Sequence, residues 1–436
     1  MSNKASQELS ALMDRFKILP WVICAVGALF YAYEYVLRIA PNVMSTQLMQ
    51  YYGVNGLALG NLAAFYYYAY TPMQLPVGVL MDRFGPRRLL TLACLLCAFG
   101  AYLFAGSHFL TIAKLGRFFA GFGSAFAFVG VLKLATIWLP PNRFAFISGF
   151  TSALGAIGAV FGEIFLTYWV DTVGWRSSVA LSAVVGVFLS VIIFMVIKDG
   201  HHREIEEGTH EPLDLPQITR GFMRILTNGQ IWLAGLIGCL LYMPSSVFAE
   251  MWGKAYLEGA HHLSSEDAAS GVALVFLGFA LGGPLFGWWS DTIKKRKLPI
   301  ILGAFLATCF LSIVIYVPDL PKTLLYSLLF AFGVSYGAQV IVFPIGRELS
   351  APQLAGTAIA VTNMIVMLGG VVFQPAVGGL LDWVWNGALV NNVPFYTPQN
   401  FRFALSVLPI SLALSGLLTF FVRETHAKVG EYHHEG

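Results

Sequence analysis

Apolar runs of about twenty residues follow one another almost without pause along this chain, a length that matches the ~30 Å hydrocarbon layer of a bilayer. In hydrocarbon every backbone N–H and C=O must find a partner within the protein, so such runs fold as spanning helices. Hydrophobic residues make up 57% of the 436 and charged residues 11%, with a mean hydropathy of +0.71, whereas soluble domains carry about 25% charged residues. One integral membrane unit follows, not a string of soluble domains. Twelve spans are predicted, at 19–43, 57–80, 88–106, 111–139, 144–170, 177–197, 230–257, 266–289, 298–317, 322–346, 355–381 and 403–422.

A repeat divides the twelve. Gly78-Val-Leu-Met-Asp82-Arg83-Phe-Gly85-Pro-Arg87-Arg88 follows the second span, and Gly287-Trp-Trp-Ser-Asp291-Thr-Ile-Lys294-Lys295-Arg296-Lys297 follows the eighth. One shift of about 209 positions superimposes Gly78 on Gly287, Asp82 on Asp291 and Arg87 on Arg296. The glycine spacing of Gly149 and Gly162 recurs at Gly356 and Gly369. Segments 19–197 and 230–422 therefore read as two six-helix bundles, joined by a charged loop at 198–229 broken by Pro212 and Pro216. The second part of that loop, Ile218 to Leu226, has apolar residues at helical spacing and is expected to lie along the membrane surface. Residues 1–18 read as a polar lead to a retained first helix, and 423–436 as a polar tail.

Charge sets the expected orientation. Of 26 Lys and Arg, about 18 fall on one side, at the N-terminus, the hinge loops, the central loop and the tail, which places both termini in the cytoplasm. The absence of any Asn-x-Ser/Thr acceptor points to a bacterial inner membrane. Cys94-x-x-Cys97 has the spacing of a redox or metal pair, but one helix face in lipid offers no further ligands, so all five cysteines read as packing residues and no metal is expected.

Ionisable residues inside spans are costly and become functional candidates. Glu34 and Arg38 are four apart and share a helix face. Arg117 in the fourth span falls at comparable depth, and a Glu34–Arg117 ion pair tying two helices is one reading of it. Arg38 presents a guanidinium fork for a carboxylate, with snorkelling to the surface as the alternative. Glu250, beside Trp252, is the counterpart in the second half. Glu34, Glu163 and Glu250 are the candidate proton carriers, since no histidine lies inside a span. Tyr31, Tyr35, Tyr67, Tyr70, Gln74, Tyr336, Gln339, Asn363 and Gln374 are polar groups able to line a cavity, or packing residues and interface anchors. Lys133 lies close to the inner end of span four, as a snorkelling residue or a ligand. Asp82 and Asp291 stand at helix ends, each able to stabilise the positive N-terminus of a facing helix.

Twelve spans, a central loop, the paired hinges (Gly78, Asp82, Arg83, Arg87, Arg88; Gly287, Asp291, Arg296) and Arg117-x-x-x-Gly121-x-Gly123 resemble the major facilitator superfamily. Two departures stand out: Pro86 replaces the usual Arg, and the second hinge lacks the Gly after its Asp. The stretches Phe30–Met44 and Tyr66–Gln74 look like the proteobacterial phagosomal transporter family of bacteria such as Legionella, whose members take up amino acids and nucleosides. They are more distantly similar to organic-anion porters, in which an Arg at a position like Arg38 holds an anion. The resemblance implies a central cavity lined by spans one, four, seven and ten, where Glu34, Arg38 and Arg117 would meet, and hinges that act as conformational latches. It implies a secondary active transporter working by alternating access. The expected cargo is an amino acid driven by the proton gradient, with nucleosides, dipeptides or organic anions as alternatives. A membrane sensor would need a soluble domain, and an intramembrane enzyme would need a catalytic cluster, which the spans lack. No cofactor beyond the proton gradient is expected; the partners are a small-molecule substrate and the lipid bilayer, with no nucleic acid, and the protein is expected as a monomer.

Overall fold

The computed structural model describes residues 2–140, 143–199, 223–351, 354–391 and 393–426, with side chains from residue 18 onward except those of 144–146. Twelve helical spans are found among the described residues. They are α1 (Ser2–Val43), α2 (Gly56–Met73, continued by Val77–Phe84), α3 (Pro86–Gly106), α4 (Leu110–Trp138), α5 (Ile147–Val173) and α6 (Trp175–Val196). The second six are α7 (Gly229–His261), α8 (Ser265–Ile293), α9 (Lys297–Tyr316), α10 (Lys322–Glu348), α11 (Ala355–Trp383) and α12 (Pro398–Thr419).

Eleven helices are long and apolar enough to cross a bilayer on composition alone. The second span is broken at Gln74–Pro76, where Pro76 cannot donate to the helix ladder. The helix of α1 runs unbroken from Ser2, so residues 2–18 of the segment expected as a separate lead form its first turns. Span twelve begins at Pro398, five residues early, because Thr397 and Asn400 form a reciprocal capping box. Between α11 and α12, Leu389–Val390 pairs with Val393–Pro394, the one strand pair among the described residues. The loop expected at 198–229 lies mostly outside the described residues, as does the first part of the predicted Ile218–Leu226 helix; 223–227 is helical.

The two halves obey one packing rule. In the first, α3 packs on α4 and α6, α2 on α4, and α1 on α5 and α6; in the second, α9 packs on α10 and α12, α8 on α10, and α7 on α11 and α12. Across the molecule α1 meets α7, while α2 meets α11 and, in the mirrored relation, α8 meets α5. Burial follows: α7 at the centre has 83% of its apolar window buried, and α6 at the rim 28%. The rim side chains Val184, Val187, Phe188, Phe194 and Met195 are the surface that lipid covers.

Where a proline interrupts a spanning helix, a partner takes the freed carbonyl. Pro41 removes the N–H that Leu37 O would accept, and Arg117 of α4 fills the gap, donating Nη1 to Leu37 O at 2.5 Å and Nη2 to Arg38 O at 3.2 Å. In α7, Pro244 does the same to Leu240 O, which accepts from Ser411 Oγ of α12 at 3.3 Å. Two spans also widen locally: α5 carries a π-helical turn at Gly162–Leu166, and α7 one at Pro244–Trp252. Such bulges re-aim the side chains they hold, here Glu163 and Glu250.

Candidate functional site

The densest buried polar cluster sits where α1, α2 and α7 cross. Arg38 and Glu34, one turn apart on α1, point between the halves and are 2% and 0% exposed, which excludes snorkelling for Arg38. Arg38 Nη2 donates to both oxygens of Glu34, at 2.9 and 3.2 Å. The Tyr66 hydroxyl donates to Glu34 Oε2 at 2.6 Å and accepts from Arg38 Nε at 3.2 Å. The rings of Tyr35, Tyr70 and Tyr66 stand 4.4, 4.9 and 5.3 Å from the guanidinium carbon, a box of negative ring faces around one cation. Tyr31 packs edge-on against Tyr35.

The cluster reaches into the second half. Arg38 Nη1 lies 3.4 Å from the Tyr242 hydroxyl, which donates to Glu250 Oε1 at 2.9 Å; the Tyr67 hydroxyl donates to Glu250 Oε2. One guanidinium thus holds the Glu34 carboxylate of the first half directly and reaches the Glu250 carboxylate of the second through the Tyr242 phenol. Such a network holds an anion-sized charge pattern in a dry site, and an incoming carboxylate can take the place of the neutral Tyr242 hydroxyl on the fork while Glu34 keeps its cation.

Other expected site residues lie elsewhere. Arg117 does not meet Glu34: it stands behind α1, spent on the two carbonyls described above, with its guanidinium 5.1 Å from the Tyr66 ring. The Glu34–Arg117 ion pair is therefore replaced by Glu34–Arg38, because the proline-freed carbonyl claims the α4 arginine. Trp252 Nε1 donates to Gln374 O at 3.2 Å and Gln374 Nε2 to Ser246 O at 2.7 Å, bracing α7 to α11. Tyr336 donates to Ser245 Oγ at 3.3 Å, and Gln339 is buried on α10. Asn363 donates to Gln74 Oε1 at 2.9 Å, joining α11 to α2 nearer the hinges. Glu163, sealed in the π-turn of α5, accepts from Asn42 Nδ2 at 2.9 Å.

The hinges also differ from expectation in detail. Asp82 pairs with Lys133 of α4 at 2.6 Å, giving that lysine a partner. Arg296 pairs with Asp291 and with the buried Glu348, each at 2.6 Å. The helix N-termini beside the hinges are capped not by Asp82 or Asp291 but by residues following the sixth and twelfth spans. Asp199 accepts from Arg87 N at 3.0 Å, and Glu424 from Arg296 N and Lys297 N at 2.6 and 3.1 Å. Arg87 Nε donates to Phe194 O at 2.9 Å, and Arg83 stacks on Phe84. Gly85 takes φ +78° with ψ 149°, whereas its repeat mate Lys294 takes φ +52° with ψ 37°, so the two hinges share a positive φ but turn differently. A side chain at Gly78 would meet open space and one at Gly287 only ordinary contact.

At the opposite end, here the far face, lies a contact that the sequence did not disclose. Asp382, at the end of α11, accepts from Gly56 N at 3.0 Å and Leu57 N at 2.8 Å, the first two amides of α2. Tyr396 donates its hydroxyl to Asp382 and accepts from Gly56 N at 2.8 Å. Burial, and then the Asp382 carboxylate, push the Tyr396 phenol well above its ordinary range, so it stays a donor. Gly56 and Gly378 touch backbone to backbone beneath this cap, where a methyl group on either would collide with the backbone of the other helix. The mirrored contact is weaker: Ser265, at the start of α8, donates to Asp171 at 2.7 Å.

The family model described as Major Facilitator Superfamily matches residues 21–374. The chain belongs to that superfamily. As a Major Facilitator Superfamily protein it is a multi-pass membrane transporter and not an enzyme. It is similar to a probable sulfoacetate transporter, SauU, of Cupriavidus necator (25% identity; 83% of this chain, 87% of the relative). It is also similar to a D-galactonate transporter of Escherichia coli (24%; 89% and 91%) and to a probable galactarate/D-glucarate transporter, GudP, of Bacillus subtilis (24%; 85% and 88%). Among solved structures, a bacterial homolog of the human lysosomal transporter Spinster, in an inward-facing and unoccupied conformation, superimposes with TM-score 0.73 at 16% identity (94% of this chain, 96% of that one). A D-xylose-proton symporter gives 0.72 at 16% (95% and 100%). The two-bundle major facilitator fold is shown by these. The relatives bear the names of sugar-acid and anion transporters rather than of the amino-acid or nucleoside porters that the phagosomal resemblance implied.

Proposed function

We propose that this transporter carries a small polar organic anion, a sugar acid being the best-supported class, driven by the proton gradient. The observation that carries the reading is the buried Arg38 fork, enclosed by phenols and shared by both halves. A carboxylate fits the fork, and the hydroxyls of Tyr66, Tyr67, Tyr70 and Tyr242 match a polyhydroxylated chain by hydrogen bonding. The names of the relatives support the same class. With the basic hinge face in the cytoplasm, symport with protons moving inward gives uptake. An α-amino acid is the second reading, favoured by Glu250, whose carboxylate lies one phenol away from Arg38 and offers a partner for an ammonium group. Nucleosides, having no carboxylate, leave the fork unused.

A thermal-shift panel of D-galactonate, D-glucarate, sulfoacetate, amino acids, dipeptides and nucleosides separates these classes. Radiolabelled uptake into proteoliposomes with and without an imposed pH gradient then tests transport. Arg38→Ala is expected to abolish carboxylate uptake, and Arg38→Lys to recover only part of it because an ammonium lacks the bidentate fork. Wild-type uptake by Arg38→Ala overturns the anchor.

A further inference from the structure

The carboxylates buried deep in the spans, Glu34, Glu163 and Glu250, are not equally compensated. Glu34 receives the Arg38 fork and the Tyr66 hydroxyl, and Glu250 receives two phenols. Glu163 receives one amide N–H on Oε1, while Oε2 has no hydrogen-bond partner among the described residues, in a side chain with no solvent exposure. A carboxylate left so bare costs several kcal/mol relative to water, and a proton on it removes most of that cost.

The single donor is the informative part. Asn42, on α1, donates Nδ2 to Glu163 of α5 and accepts, on Oδ1, the backbone N–H of Lys254 of α7 at 3.2 Å. Lys254 in turn donates Nζ to Val43 O at 3.1 Å and pairs with Glu258 at 3.1 Å. Asn42 therefore ties a buried carboxyl in the first half to the main chain of the second, at the far-face crossing of α1 and α7. The amide has one orientation that satisfies both partners.

We propose that Glu163 is the residue that carries the coupling proton, and that Asn42 transmits its charge state to the α1–α7 crossing, so that protonation closes the far face. This rests on the reading above that the chain is a proton-driven transporter. With Glu163 neutral, the Asn42 bridge forms and the far ends of α1 and α7 stay together. Loss of the proton leaves a bare charge whose relief comes from water or from the Lys254 ammonium. Reaching either requires Asn42 to release the Lys254 amide, which parts the crossing. A proton taken up from the far side thus closes that side.

The charges bearing on Glu163 are few. On α7 they are Lys254, held by Glu258, and Glu250, held by its phenols. On α1 Arg38 is one turn from Asn42 and committed to Glu34. The ionisable residues of α8, packed on the same π-turn, are Glu266, Asp267 and Asp291 in its end turns.

Three measurements on the full-length protein test this. Infrared difference spectra titrated over pH should show a buried protonated carboxyl band that Glu163→Gln removes; persistence of that band in Glu163→Gln overturns the proton assignment. Spin labels at the far ends of α1 and α7 should report a closed population that falls as pH rises. That population is expected to become pH-independent in Glu163→Gln, and also in Asn42→Ala even though its carboxyl band still titrates. A wild-type pH response in Asn42→Ala overturns the transmission. In proteoliposomes with D-galactonate as the probe, Glu163→Gln should keep exchange within about twofold of wild type while gradient-driven accumulation falls about tenfold or more. Equal loss of exchange and accumulation overturns the coupling role. If the wild-type protein does not carry D-galactonate, the substrate reading fails, and the spectra and distances decide this proposal on their own.

Discussion

The hinge face and the far face are both rich in charged contacts, yet they are built on different principles. Near the hinges, Asp82–Lys133, Arg296–Asp291 and Arg296–Glu348 each join residues of one half. At the far face, Asp382 caps α2 from α11, Ser265 reaches Asp171, and Lys254 reaches Val43, each contact crossing between halves. A contact inside a rigid half is equally present in every orientation of the halves and adds to the stability of the bundle. A contact between halves exists in one orientation and adds to its population. The far face therefore carries most of the named contacts that select the conformation described here, with Asn363–Gln74 a further crossing nearer the hinges, and the charged hinge pairs hold the bundles.

The largest expected effect comes from the buried hinge pair. Arg296→Ala strands Glu348 without its cation and should cost about 3–5 kcal/mol, seen as a lowered unfolding midpoint of the purified protein with far-face distances unchanged. A shift in those distances instead would erase the distinction between the two faces. Next comes Asp382→Ala, which uncaps α2 and leaves the Tyr396 hydroxyl without its carboxylate. A loss of about 1–2 kcal/mol, or roughly a five- to thirty-fold fall in the far-closed population, should appear in spin-label distances between α2 and α11. An unaltered distribution would show that Asp382 does not latch the halves. The smallest effect belongs to Asp82→Asn, whose carboxylate is 65% exposed and whose pairing is worth about 0–1 kcal/mol, so melting and distances should both stay near wild type in this conformation.

Much of this arrangement was legible in the chain because lipid leaves so few choices. The spans, the repeat and the hinge positions follow from hydropathy and spacing, and Glu34 with Arg38 follows from helical periodicity. What escaped notice depended on neighbours distant in sequence. Tyr66 and Tyr242 complete the cluster, yet nothing in a run of tyrosines tells which hydroxyl meets a buried ion. Nothing in the sequence marks Asp382, since the amides it caps lie more than three hundred residues away. Arg117 was misplaced for a reason that was available: Pro41 frees the carbonyl of Leu37, and the nearest buried donor must answer it. Lys294 shows the reverse case, a hinge motif lacking its glycine that keeps a positive φ yet closes its helix with a different turn.

The grip of Arg117 on α1 has one more implication. It holds peptide oxygens, not side chains, so the path of that helix past residues 37 and 38 does not depend on what those residues are. A change of side chain at position 38 then acts on the buried ion pair with Glu34 and not on the course of the helix.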